Sequence, residues 1–131
     1  MKKGFTLIEL LVVFSLMGII MSIAIPAFGA SRKSARDGKR KADLEMIRSA
    51  LEMYRSDIGS YPLSGSLSTP LTGYLSSIPK DPLTSTDYPY SRLTTNTYIL
   101  CANLETGGQA ISCPGSCTCG TGSCNYEICN P

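Results

Sequence analysis

The sequence has no histidine and no tryptophan. Without histidine there is no Ser-His-Asp or Cys-His catalytic set and no His-ligated metal or haem. No Cys-x-x-Cys pair occurs, which removes the usual thiol redox motif and the commonest zinc spacing. No Gly-rich phosphate loop stands between a strand and a helix. Charge is absent over a long stretch: Leu10 to Ala30, 21 residues, carries no charged side chain, and roughly 20 apolar residues in a helix span a bilayer core. These absences argue against an enzyme and for a membrane-anchored chain. About 100 residues are left outside the membrane, and a domain that small buries a limited share of its surface, so staples or assembly help it.

What is present is unevenly placed. The net charge of +2 becomes a balance of ten basic and ten acidic side chains once Lys2 and Lys3 are set aside. Six of those ten basic residues, Arg32, Lys33, Arg36, Lys39, Arg40 and Lys41, fall within one short segment, opposed there by Asp37 alone. Two readings apply. The cluster is a helix surface facing solvent or lipid headgroups, or it is a basic stripe that contacts DNA or another polyanion. The second reading lacks the interleaved aromatics that stack on bases. All six cysteines (Cys101, Cys113, Cys117, Cys119, Cys124, Cys129) lie in the last 31 residues. An even count in an exported tail reads as three disulfides, with 15 connectivities open. A thiolate metal site and redox catalysis are the rivals, and the spacings suit neither.

The start, Met1-Lys2-Lys3-Gly4-Phe5-Thr6-Leu7-Ile8-Glu9-Leu10, differs from an ordinary secretory signal, whose apolar stretch precedes the cleavage site and is discarded. Cleavage after Gly4 would keep the apolar helix. The segment from Gly4 to Val13 resembles the leader of type IV prepilins and type II secretion pseudopilins. That resemblance implies cutting between Gly4 and Phe5 by a prepilin peptidase, N-methylation of Phe5, and assembly through an inner-membrane platform into a filament of identical subunits. It also implies that Glu9 meets the terminal amine of a neighbouring Phe5. A carboxylate at membrane depth costs on the order of 2.5–3.5 kcal/mol on insertion scales, so Glu9 needs either such a partner or a snorkelling position near the interface. Gly18 and Pro26 are helix breakers within the anchor. The resemblance implies a segment that loosens between them on assembly; a kink at Pro26 is the plainer alternative.

Beyond Ala30 the helical reading continues. Leu44, Ile47, Leu51, Tyr54 and Ile58 are spaced three, four, three and four, widened by Ala50, while Asp43, Glu45, Arg48, Glu52 and Arg55 populate other faces. Gly59 and Pro62 end the pattern. One helix from about Phe5 to Ile58 would be roughly 80 Å long. Its first half, apolar all round, must be buried in lipid or among copies of itself, and its second half needs a partner within the subunit. Counting positive charges beside the span places the C-terminal part in the cytoplasm. The leader, which must meet a cytoplasmic peptidase, and the cysteine tail, which needs an oxidising compartment, override that count.

Residues 59–88 are rich in Ser, Gly, Pro and Thr and read as a long loop. Tyr88–Leu93 and Thr97–Asn103 read as strands joined by a turn at Thr94-Thr95-Asn96, with a third strand at Gln109–Cys113. The tail from Cys113 to Cys129 is too small and glycine-rich for a core of its own, so disulfides are expected to fix it. Tyr54, Gly59-Ser60-Tyr61-Pro62, Tyr74 to Pro82, Tyr88 and Tyr90 resemble the major pseudopilin of type II secretion. That family often binds calcium in a C-terminal loop, but Asp81, Asp87, Glu105 and Glu127 are scattered without EF-hand spacing, so no cofactor is expected.

The expected fold is α+β: a long N-terminal helix, membrane-spanning in its first half and amphipathic in its second, packed on a small antiparallel sheet with a disulfide-rich C-terminal tail. The expected divisions are a leader at 1–4, a transmembrane and polymerisation helix at 5–30, an amphipathic helix at 31–58, a loop and sheet at 59–112, and the tail at 113–131. The expected function is a structural subunit of a type IV pilus-like filament. The alternatives are a pseudopilin of a type II secretion or DNA-uptake machine, and a filament-tip adhesin or DNA-binding subunit. The expected location is a single pass through the inner membrane before assembly, then an extracellular or periplasmic filament.

Overall fold

A computed structural model of the chain describes residues 4–108, 113–115, 117–120 and 122–130, with the backbone alone at 24–27 and 122–123. The first element is a 52-residue helix, α1 (Leu7–Ile58). Its end is set by Gly59, which adopts φ 82° while its N–H donates to the Arg55 carbonyl at 2.7 Å. That left-handed cap is inexpensive for glycine and strained for a residue with a Cβ. By its internal contacts the chain divides into two compact units, Met1–Lys33 and Ser34–Pro131.

In the first unit every described side chain is exposed, including Phe5 at 87% and Leu7 at 82%. Among the described residues, no single helical stretch is long and apolar enough to cross a membrane. Leu7–Ile23 and Phe28–Ile58 taken together meet the length and hydropathy required. Gly18 is helical. The loosening expected up to Pro26 falls on a side chain outside the described residues.

The second unit has its own core. Leu44, Ile47, Ala50 and Leu51 on α1 are fully buried against Tyr61, Leu71, Tyr98, Leu100 and Ile128, with Tyr54 packed at the margin. The stripe stops one turn earlier than the spacing predicts. Ile58 is the last helical residue, the chain turns at Gly59, and Ile58 stays exposed. Asp43, expected on an outer face, is buried, and its carboxylate accepts the Tyr88 hydroxyl at 2.9 Å.

Strands β1 (Tyr90–Thr94) and β2 (Thr97–Ala102) form the expected hairpin around Thr95-Asn96, with Tyr90 opposite Leu100 and Thr94 opposite Thr97. The strand on the other side of β2 comes from the tail. After the short pair β3 (Thr118–Cys119) and β4 (Gly122–Ser123), β5 (Tyr126–Cys129) runs antiparallel to β2, with Leu100 opposite Ile128. The sheet order is β1-β2-β5. Of the strand expected at Gln109–Cys113, residues 109–112 lie outside the described residues, and Cys113 is not in a strand.

Alternation along β2 gives the sheet two uses. Tyr98, Leu100 and Ala102 face the helical core, and Ile99 and Cys101 face the opposite side. There they are covered by Cys113 and Cys117, with Cys119, Cys124 and Cys129 packed around them. The tail therefore shares a small core with β2 and is fixed to it by disulfides, whose sulfurs supply apolar contact that its glycines cannot. The bonds are Cys101–Cys117, Cys113–Cys129 and Cys119–Cys124, and no cysteine is free.

Candidate functional site

Two sites stand out, one in each unit. The first is the start of α1. Thr6 occupies the N-cap and Glu9 the third helical position, a Thr-x-x-Glu pattern that forms a capping box. The Glu9 N–H donates to Thr6 Oγ1 at 3.3 Å. Glu9 Oε2 in return accepts the Thr6 N–H at 3.0 Å and the Thr6 hydroxyl at 2.8 Å. The negative carboxylate also sits where the helix dipole favours it. Glu9 Oε1 makes no hydrogen bond among the described residues. Gly4 and Phe5 precede the helix in exposed, non-helical chain, the form in which a protease reaches a peptide bond.

The second site is a cluster of charges on the buried face of α1. Counting back from Leu44 in helical steps reaches Arg40, Asp37 and Arg36, and the structure buries the first two. Arg40, only 3% exposed, binds three carboxylates. Its Nε and Nη2 donate to Asp81 at 2.6 and 3.3 Å, and its Nη1 donates to Asp37 at 2.8 Å and to Glu105 at 3.0 Å. Arg36 grips Glu105 with two bonds of 2.6 Å. Asp37 also accepts the backbone N–H groups of Glu105 and Thr106 at 2.9 and 2.8 Å and the Thr106 hydroxyl at 2.6 Å. Asp81 caps its own loop by accepting the N–H groups of Leu83 and Thr84. Leu104 exchanges two hydrogen bonds with Asn125 of the tail, and a Cβ at Gly108 would collide with the Asn125 carbonyl.

These contacts set the protonation states. Hydrogen bonds from Arg36, with Arg40 adding to them, hold the Glu105 carboxyl down at about 2. Burial pushes Asp37 up, but the bonds from Thr106, the two backbone amides and Arg40 outweigh it and leave it at about 2. Burial likewise opposes ionisation of Asp81, and the Arg40 bonds with the Thr84 and Leu83 amides overcome it, well below the usual carboxylate range. Hydrogen bonding to Asp81 above all raises Arg40. All five groups are charged at neutral pH.

The six basic residues therefore do not form one polyanion-binding stripe. Arg40 is buried and Arg36 is committed to Glu105, because both lie on the helix face that packs against the domain. Lys41 stands over the Tyr126 ring at 5.4 Å. Arg32, Lys33 and Lys39 are exposed and make no ion pair among the described residues. The carboxylates weighed for calcium are also occupied or apart. Asp81 and Glu105 hold arginines, Asp87 faces Lys80 at 3.6 Å, and Glu127 lies on β5 opposite Cys101. Among the described residues no group of three or more His, Cys, Asp or Glu side chains could hold a metal ion. Calcium needs six to eight oxygens at about 2.3–2.6 Å, and the Arg40 head stands where they would have to converge. Among the described residues, these carboxylates do not fit that ion.

An apolar helix led by Gly4-Phe5 with a capped glutamate and running into a small sheet domain defines a prepilin-type chain. Residues 1–25 match the model of the prokaryotic N-terminal methylation motif. The type II secretion system core protein G of Vibrio cholerae serotype O1 is 30% identical over 126 residues, covering 82% of this chain and 86% of that protein. The core protein G of Pseudomonas aeruginosa is 30% identical over 129 residues, covering 82% and 89%, and that of Pectobacterium carotovorum is 31% identical over 102 residues, covering 66% and 65%. No solved structure matches. The chain belongs to the family of the type II secretion system core protein G, the major pseudopilins.

Proposed function

We propose that the chain is a structural, non-catalytic subunit of a type II secretion pseudopilus. A prepilin peptidase cuts after Gly4, and the span from Phe5 to Ala30 holds the mature subunit in the inner membrane by a single pass. An inner-membrane platform then moves it into a filament of identical copies on the periplasmic side. The observation that carries this reading is the family match, which extends through the helix into the sheet domain. The exposed apolar helix of the first unit, uncharged from Leu10 to Ala30, supports it, because that surface needs lipid or other copies to bury it. The three disulfides support the periplasmic side. The competing pilus, DNA-uptake and adhesin readings have no observation of their own, and the polyanion reading loses Arg36 and Arg40 to ion pairs.

In the membrane-held subunit the capping box engages only Oε2 of Glu9 and leaves Oε1 without a hydrogen bond among the described residues. On assembly, Glu9 is expected to take the charged amine of a neighbouring Phe5. The test is Glu9→Ala in the full chain, with cleavage read by mass spectrometry and polymer by the sheared filament fraction. Normal cleavage with loss of polymer is expected. Polymer at the wild-type level from the cleaved variant would sink the assembly role.

A further inference from the structure

We infer that Arg40 is a built-in cation that holds the carboxylates of three chain segments together, so that the C-terminal part of this domain is fastened to α1 without any metal ion. The family that this chain resembles often binds calcium in a C-terminal loop, whereas the described carboxylates here are held by arginines and backbone amides.

The grounds are geometric. Asp37 comes from α1, Asp81 from the loop after the helix, and Glu105 from the segment leaving β2. Arg40 reaches all three, at 2.8, 2.6 and 3.0 Å. A carboxylate buried against apolar surface needs a positive partner or a set of donors. Here each has both: Asp37 takes the 105–106 amides, Asp81 the 83–84 amides, and Glu105 the Arg36 fork. The planar guanidinium presents five donors in fixed directions, so one side chain serves three segments that a spherical ion would otherwise have to gather. Two positive charges face three negative ones, and the amides on Asp37 and Asp81 compensate for the difference. From Glu105 the fastening continues through the Leu104–Asn125 bonds into the disulfide core. The whole fastening lies within one subunit, so its test needs no filament.

The full chain in detergent is heated with a calcium chelator and, separately, with millimolar calcium, and unfolding is followed by tyrosine fluorescence. The two wild-type curves are expected to coincide within about 1 °C. Arg40→Met removes the charge, keeps most of the bulk and leaves three carboxylates facing one another, so its Tm is expected to fall by more than about 10 °C. Arg40→Lys, which keeps the charge but loses the fork, is expected to recover part of that loss. A wild-type Tm that drops by several degrees in chelator and returns with calcium overturns the inference. So does an Arg40→Met protein with wild-type Tm. If Arg40→Met does not fold, the wild-type comparison still decides, together with Arg36→Gln. That variant leaves Arg40 in place and is expected to lose a few degrees identically with and without calcium; a calcium-dependent Tm in it would also overturn the inference.

Discussion

The two units of this molecule hold similar apolar residues and bury them differently. In the first, Leu, Ile, Val, Phe and Met surround the helix on all sides, and every described side chain is exposed. In the second, the same helix carries one apolar face, and Leu44, Ile47 and Leu51 vanish under a sheet and a loop. The difference shows what each half of the helix is for. A helix apolar all round finds no partner in a chain this short and must take one from lipid or from other subunits. A helix with one apolar face can be completed by its own chain.

The comparison breaks most sharply at matched leucines. Leu51→Ala should destabilise the domain by roughly 2–5 kcal/mol, while Leu11→Ala should leave its unfolding unchanged. Equal effects on the thermal unfolding of the full chain would show that the units are not separate. Removing the Cys113–Cys129 bond with Cys113→Ser and Cys129→Ser should cost about 3 kcal/mol, given a loop of 16 residues, read as a lower denaturant midpoint, and dithiothreitol, which reduces all three bonds, should lower the wild-type midpoint further.

A third expectation concerns acid. Asp37 and Glu105 sit at about 2 and Asp81 lower still, below their values in an unfolded chain. Groups with depressed folded-state values stabilise above the unfolded range near about 4, and that stability is lost as pH falls toward the folded values. The Tm should stay level from neutral pH to about 4.5 and then fall. A decline already complete by pH 5, on the order of a unit above the unfolded range, would contradict the ion-pair geometry. The smallest effect is expected at the helix end. Gly59→Ala should cost about 1 kcal/mol because φ is positive there, with no change at the first unit.

Much of this was legible in the residues. The anchor is a run without charge, the amphipathic stripe has a period, and the β1–β2 hairpin has a turn between two β-prone runs. The capping box is also written there, as Thr6-x-x-Glu9, but a glutamate beside an apolar run reads first as an ion awaiting another subunit. Arg40 and Asp37 carried a signal too, since they continue the phase of Leu44 and Ile47. Reading by hydropathy alone assigns charged residues to the solvent, and a buried ion cluster is visible only when Asp81 and Glu105 are known to lie opposite. The strand that pairs with the far side of β2 is hidden in the sequence for a related reason. Tyr126–Cys129 is β-prone, but it follows a stretch of glycine and cysteine that reads as a knob, and nothing local says that it pairs with Thr97–Ala102.

By itself the sequence determined the prepilin-type N-terminal motif, the apolar half-helix, the one-faced half-helix and the clustering of six cysteines within the last 31 residues. These are properties of composition and period, which depend on neighbours a few residues away. Only the tertiary structure decided which cysteines pair, which strand completes the sheet, and that two of six basic residues are fasteners, Arg40 buried and Arg36 half-buried. The Cys101–Cys117 and Cys113–Cys129 bonds each span 16 positions and the Arg36–Glu105 pair spans 69, and such distant partners are chosen by the packing of the whole domain.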